Sequence, residues 1–324
     1  MRGLIFSILM IPIIPFWILG VAIYTWRVRR IVIPQNISGT AAEPYGARLV
    51  LHMAGTRIDN AAYKIAEHMI LYAQPVRFLM LQAVWLALKI SGYKGFFFAY
   101  PGPRPSTMMT MMSHRSHFFD QSIQDVLTRE HNPATQIVVL GAGFDTRCYN
   151  LPEGKDIKCF EVDMAPTLNV KKQAIEKAGI PHDHVTFVET DFNQESWMDA
   201  LLTSGFDPNK TTYILWEGVT MYLTDEAVNS TLALFSTLPQ GSVIGADFFT
   251  EDIVKGNPPL EKISKTIHTQ IKYYSENFQF GIPTGETLSE GLEEYLSESE
   301  LKLTRFEHVG STEDRKPPWY FLAH

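Results

Sequence analysis

The sequence predicts an α/β protein: a doubly wound, mostly parallel seven-stranded sheet of Rossmann-like type, with an N-terminal helical cap and an N-terminal transmembrane helix. Three observations predict it. From residue 113 to residue 249, short apolar runs alternate with amphipathic helical stretches. Four successive runs end in a glycine or an acid. The first thirty residues hold an uncharged stretch much longer than any core strand.

With 324 residues, 45% of them hydrophobic and 19% charged, the chain can bury one large core. Its net charge of -7 gives no global basic field, so nucleic acid is not an expected partner. Two cysteines, Cys148 and Cys159, exclude a disulfide framework and suit a reducing compartment. No Cys/His cluster has zinc spacing, and "HDH" at 182–184 reads as a solvated loop, so no metal is expected.

The stretch from Gly3 to Trp26 carries no charge. As a helix it is roughly 36 Å long, enough to cross a hydrocarbon layer of about 30 Å. Pro12 and Pro15 are tolerated there, and Trp17, Tyr24 and Trp26 suit the interfacial belt. A cleaved signal peptide would have a shorter apolar region with its basic cluster in front; here "RVRR" follows at 27–30. Residues 1–30 are therefore expected to be an uncleaved single-pass anchor. The arginines after it favour a cytoplasmic catalytic domain, although Arg2 opposes that bias. Asn36, Asn209 and Asn229 begin Asn-x-Ser/Thr triplets that would matter only in a lumenal orientation.

Residues 31–112 read as linker and helical cap. "IPQNISGTAAEPYGA" (33–47) is rich in turn formers, a linker out of the membrane. From Leu49 to Ser91 the pattern is helical, and "FLMLQAVWLALKI" (78–90) is bounded by Arg77 and interrupted by Lys89, so a buried cap helix is expected before a second span; a helix on the bilayer surface is the alternative. "YPGPRPS" (100–106) breaks the chain again.

Residues 113–324 hold the sheet. Strands are expected at "QIVVLGAG", "IKCFEVD" (157–163), "HVTFVETD" (184–191), "TTYILWEG" (211–218) and "GSVIGADFF" (241–249), with helices between them; Gly179 closes one helix and Thr224 caps another. "LKLTRFEH" (301–308) and "PPWYFLAH" (317–324) suit a hairpin on the sheet edge, and residues about 250–300 an insertion over the site.

Ligands bind beyond the carboxyl ends of such strands. Gly141 and Gly143 sit there, where glycine permits a sharp turn and close backbone approach. A dinucleotide motif would place a third glycine at position 146, which is Thr146, and this argues against an NAD(P)-dependent oxidoreductase. Asp163, about twenty residues beyond, is placed to grip ribose hydroxyls. Asp191 and Glu217 end the next two strands.

"SHRSHFFDQSI", "IVVLGAGFDTRCYNL", "FEVDMAPTLNVKK", "VETDF" and "WEGVTMYLTDEAV" resemble the successive motifs of leucine carboxyl methyltransferase-like enzymes. The resemblance covers roughly residues 110 to 250. It implies a class I methyltransferase core and S-adenosyl-L-methionine as cofactor. It further implies that Arg115 pairs with the cofactor's carboxylate and that Gly141 and Gly143 line its backbone. Asp163 would hold the ribose with Glu161 nearby, Asp191 and Phe192 would contact the adenine, and Glu217 would sit beneath the amino-acid moiety. No catalytic residue is assigned. From the cap, Lys64 or Arg57 is a candidate to reach the cofactor. His114 or His117 would serve as base for a hydroxyl acceptor, but a carboxylate acceptor needs none. The expected reaction is O-methylation of an apolar, lipid-like or membrane-resident small molecule. A noncatalytic membrane adaptor is the remaining alternative.

Overall fold

The computed structural model describes residues 1–100, 110–192, 196–283, 288–309 and 320–323. Its frame is one sheet in the order β3-β2-β1-β4-β5-β7-β6. These strands are β1 (Gln136–Leu140), β2 (Lys158–Asp163), β3 (Val185–Glu189), β4 (Thr212–Trp216), β5 (Val243–Phe249), β6 (Phe306–Val309) and β7 (Tyr320–Ala323). The first five pair in parallel, and β7 runs antiparallel to both β5 and β6. The tail hairpin expected from sequence therefore closes the edge, with its connection at 310–319 outside the described residues.

Alternation along β1 sends Ile137 and Val139 into one hydrophobic layer and Val138 and Leu140 into the other. Both faces are covered, which is why the strands read as continuous apolar runs. The order reverses at β1 and β4, where a crevice opens beyond the strand ends.

Eleven helices are described: α1 (Arg2–Arg27), α2 (Ala42–Met53), α3 (Asn60–Ile65), α4 (Ala83–Ser91), α5 (Met111–Thr128), α6 (Ala165–Lys177), α7 (Trp197–Thr203), α8 (Asp225–Ser236), α9 (Glu251–Lys255), α10 (Glu261–Tyr273) and α11 (Leu288–Ser297). Thr224 caps α8 by accepting from the Ala227 amide, with Asp225 and Glu226 in the first turn; Gly179 follows α6 with φ +63°. All but Tyr100 of the break at 100–106 lies outside the described residues, as do 284–287 of the expected insertion.

The linker expected at 33–47 is not one. Ala42 starts α2, and Tyr45 is wholly buried, donating to the Ala62 carbonyl at 2.7 Å. At its glycines the packing admits no side chain: a Cβ on Gly39 would lie 2.3 Å from the Tyr274 ring, and one on Gly46 2.3 Å from the Tyr72 hydroxyl. Small side chains that read as linker composition instead mark close contact.

α1 is long and apolar enough to cross a membrane by length and composition. It packs antiparallel to a limb formed by a π-turn (Arg77–Gln82) and α4. Gly3 faces Tyr93, and Gly20 faces Met80.

Candidate functional site

The crevice beyond the strand ends is a cavity of about 1160 Å³. Seven of the eight residues picked out from sequence line it: Arg115, Gly141, Gly143, Asp163, Asp191, Phe192 and Glu217. The eighth, Glu161, does not. It is wholly buried below the strand end and ion-paired with Lys171 of α6 at 2.7 Å. Burial pushes its carboxyl up, and Lys171 works against that. Lys171 also reaches toward the Ala142 carbonyl, so this pair supports the glycine turn from beneath.

That turn follows β1 directly. The amides of Gly141 and Ala142 both donate to the Val162 carbonyl of β2 at 2.9 Å, which folds the chain over the strand end. Gly141 has φ +69°, and a Cβ there would meet Val219 at 2.3 Å; Gly143 has φ +44°, and a Cβ would meet Ala41 at 2.8 Å. Only glycine fits both conformation and space. The Gly143 amide donates to Asp163 Oδ2 at 2.6 Å, and the Met164 amide donates to Oδ1 at 2.7 Å. Burial nonetheless pushes the Asp163 carboxyl up, against these two amides and Lys171. Each carboxyl oxygen keeps further lone pairs for a ligand hydroxyl.

Glu217, beyond β4, is held by three arginines. Arg115 Nε lies 2.8 Å from Oε1, Arg48 Nη1 3.3 Å from the same oxygen, and Arg147 Nη1 2.6 Å from Oε2. Burial raises its carboxyl, but Arg147, Arg115 and Arg48 together outweigh burial and hold it below the usual range. Arg115 also pairs with Asp247, which receives the Gly218 amide at 2.6 Å. Asp145 and Arg147 pair with each other, and Arg48 lies 3.3 Å from Asp145.

From the cap, the cation that reaches the cavity is Arg48, not Lys64 or Arg57. Lys64 is exposed and does not line the cavity. Arg57 is buried and bound to Asp59 and Asp120. Asp120 in turn accepts from Arg147 Nε at 2.7 Å and from the Tyr100 hydroxyl at 2.6 Å. Asp59 caps α3 and accepts from Thr146 at 2.7 Å, so the cap and the glycine loop share one ion network. Thr146, in place of a third glycine, is one of the loop's ties to the cap. Arg48 was missed because it lies at the border of the supposed linker; the signal was the helical spacing of Tyr45, Arg48 and Leu49, all buried.

His114 and His117 do not line the cavity. His182 and His184 meet the backbone carbonyls of Ile180 and Cys148, and among the described residues no group of three or more His, Cys, Asp or Glu could hold a metal.

The rest of the lining is mixed. Met111, Met221, Phe249, Ile267, Ile271 and Phe278 add apolar surface, and α10 with the segment after it, which also brings Gln270, Asn277 and Gln279, supplies the roof that the insertion was expected to form.

A glycine turn, strand-end acids and a buried arginine-carboxylate cluster at the switch point of a parallel sheet define a class I methyltransferase-like α/β protein. Residues 96–236 match the family model described as leucine carboxyl methyltransferase. The chain is 39% identical over 123 residues to YktD of Bacillus subtilis (strain 168), named as an S-adenosyl-L-methionine-dependent methyltransferase, covering 37% of this chain and 40% of that protein. It is 33% identical over 149 residues to a protein of the same description from Mycolicibacterium gilvum (strain PYR-GCK), covering 46% of each. The chain thus spans less than half the length of these relatives. Among solved structures, it matches magnesium protoporphyrin IX methyltransferase from Synechocystis PCC 6803 with bound SAH at 10% identity and a TM-score of 0.42, covering 68% of this chain and 88% of that one. The fold assignment rests on the strand order and the family match. The oxidoreductase alternative draws no support from these relatives.

Proposed function

We propose that this protein is an S-adenosylmethionine-dependent O-methyltransferase that acts on a carboxylate, or a hydroxyl, of an apolar or membrane-associated small molecule. One observation carries the reading: one cavity is lined both by the glycine turn with its acids and arginines and by a set of large apolar side chains. Sites for drug-sized ligands measure about 300–1,000 Å³, so this one has room for two partners.

The floor fits the cofactor. The glycine cradle leaves open a space that any Cβ would close, Asp163 offers acceptors to a ribose, and Asp191 and Phe192, which line the cavity, would contact the adenine. Arg115 and Arg48 suit a carboxylate, and Glu217 and Asp145 an ammonium. S-adenosylmethionine, when bound, supplies an electrophilic methyl on a sulfonium. The protein's task is then alignment and exclusion of water. Met111, Phe249, Ile267 and Phe278 would strip the acceptor of hydration and hold it against the floor. A carboxylate with an ordinary pKa near 4 is already ionised at pH 7 and needs no general base.

The test is incubation of the full chain with methyl-labelled S-adenosylmethionine and lipid extracts. Base-labile label in the organic phase is expected for an ester, and base-stable label marks an ether. No calorimetric binding of S-adenosylhomocysteine would end the proposal. We further propose that the apolar N-terminal helix attaches the enzyme to a membrane, where such acceptors reside.

A further inference from the structure

Length and hydropathy make α1 a candidate span, but its contacts bind both of its ends to one folded body. At its C-terminal end, Arg27 donates to the carbonyls of Ile70, Ala73 and Gln74 at 2.6–2.9 Å, and Val28 is wholly buried in the cap. The Tyr273 hydroxyl of α10 donates to the Thr25 carbonyl at 3.0 Å. At its N-terminal end, Phe6 stacks on Tyr93 with centroids 5.2 Å apart and meets Phe98 edge-on at 5.6 Å. Phe98 packs with Ala54 and Leu88, and Lys94 donates to the Gly55 carbonyl. Two residues on, Tyr100 binds Asp120, a member of the site's ion network.

A helix crossing upright would carry everything beside its length into hydrocarbon. That would include the 92–100 segment and its polar ties to Gly55 and Asp120. Buried ion networks and irregular backbone are not stable against lipid tails. α1 is about 39 Å long, so its two ends cannot both sit at one headgroup level unless it lies flat.

The outward surface suits that posture. Ile8, Ile11, Ile18 and Leu19 of α1 are exposed, and the neighbouring limb adds Phe78, Leu86 and Ile90, each at least half exposed. The charges are equally one-sided. Residues 1–42 and 68–100 contain seven Lys and Arg and none of the chain's 35 acids. Arg2, Arg29, Arg30, Lys89 and Lys94 are exposed around the apolar face, and Lys89 lies over the Trp85 ring. An apolar surface rimmed by cations in an otherwise acidic chain matches a leaflet with anionic headgroups. The segment that follows α1, from Ile33 to Pro44, forms part of the cavity wall, so a leaflet at this face lies beside the site.

We infer that α1 and the Arg77–Ser91 limb lie in the plane of one anionic leaflet, with both ends of α1 on the catalytic side. This deepens the membrane part of the proposed function and is independent of methyl transfer. The full chain, with different epitope tags at its two ends, is reconstituted from detergent into sealed phosphatidylcholine vesicles with or without phosphatidylglycerol, then treated with an impermeant label. Each molecule is expected to be labelled at both tags or at neither, with better recovery when phosphatidylglycerol is present. Shallow doxyl-lipids are expected to quench tryptophan emission, and less so in Trp85→Phe. Molecules labelled at one tag only would show a crossing helix and overturn the inference while leaving a membrane enzyme intact. Failure to float with vesicles of either composition would overturn it together with the membrane association, but not the methyltransferase reading. Equal recovery on both compositions would overturn the anionic preference, and unchanged quenching in Trp85→Phe would remove the limb from the leaflet.

Discussion

The floor and the roof of the cavity are built on opposite principles. The floor is charged and over-determined: Glu217 meets three arginines, Arg147 meets three carboxylates, and each glycine position has one residue that fits. The roof, from α10 and the segment after it, mixes apolar side chains with uncharged polar ones. Glu276, its half-buried acid, has no arginine partner among the described residues and accepts from the Thr40 hydroxyl at 2.8 Å. The difference teaches where specificity is stored. On the proposed function, a floor built for one cofactor tolerates few sequences, whereas a roof built for an acceptor is free to vary with it.

Arg147→Met should break the floor most severely. It leaves Asp120, Asp145 and Glu217 without a shared cation, and removing one partner from a buried ion network costs about 3–5 kcal/mol. Chemical denaturation of this variant against Arg29→Met is the comparison, since Arg29 is exposed. Equal midpoints would mean that the network carries little of the fold.

Gly141→Ala comes next. The positive φ and the 2.3 Å approach to Val219 add strain and overpacking, together about 2–4 kcal/mol. Calorimetric titration with S-adenosylhomocysteine is expected to show no binding. Gly179→Ala also has positive φ but meets nothing within 4 Å, so it should retain binding and isolate the steric part.

How much of this was legible in the sequence follows the same division. The floor was legible because strand ends are marked by abrupt changes of residue type, as from "IVVL" to "GAG", and because backbone constraints leave few choices. Glu161 shows the limit: two acids two residues apart look equivalent in "FEVD", and only the packing of α6 sends one to Lys171 and the other to the cavity. Asp120 was illegible for a different reason. Its role depends on Arg57 and Arg147, 63 and 27 residues away, and no local pattern encodes that meeting. The posture of α1 was likewise beyond periodicity, because an all-apolar helix has no polar face to reveal what it packs on.

Asp163→Ala sharpens the comparison within the floor. Its carboxylate is oriented by two backbone amides and would face a ribose through its remaining lone pairs. Loss of those hydrogen bonds is expected to weaken S-adenosylhomocysteine by about tenfold to a hundredfold with little change in melting temperature. Unchanged affinity would take Asp163 out of the binding site.

The smallest effect is expected at the roof and has the opposite sign. Burial pushes the Glu276 carboxyl up, with Asp163 and Glu43 adding to it and the Thr40 bonds opposing. A carboxyl that holds its proton more tightly when folded loses stability as pH rises from its unfolded value, about 4.3, through its folded one. Glu276→Gln removes that loss. The variant should match the wild type near pH 4 and melt higher by about 2 °C or less at pH 8. Glu217 is the reverse case: held below the ordinary range, it stabilises the fold above its unfolded value, and that contribution vanishes as pH falls through its folded value. Glu217→Gln should therefore lower the melting temperature at neutral pH, and its deficit should shrink in acid. Two acids lining one cavity thus give pH profiles of opposite slope because one lies among arginines and the other does not. Melting curves for both variants over pH 4–8 that ran parallel would erase the distinction between floor and roof.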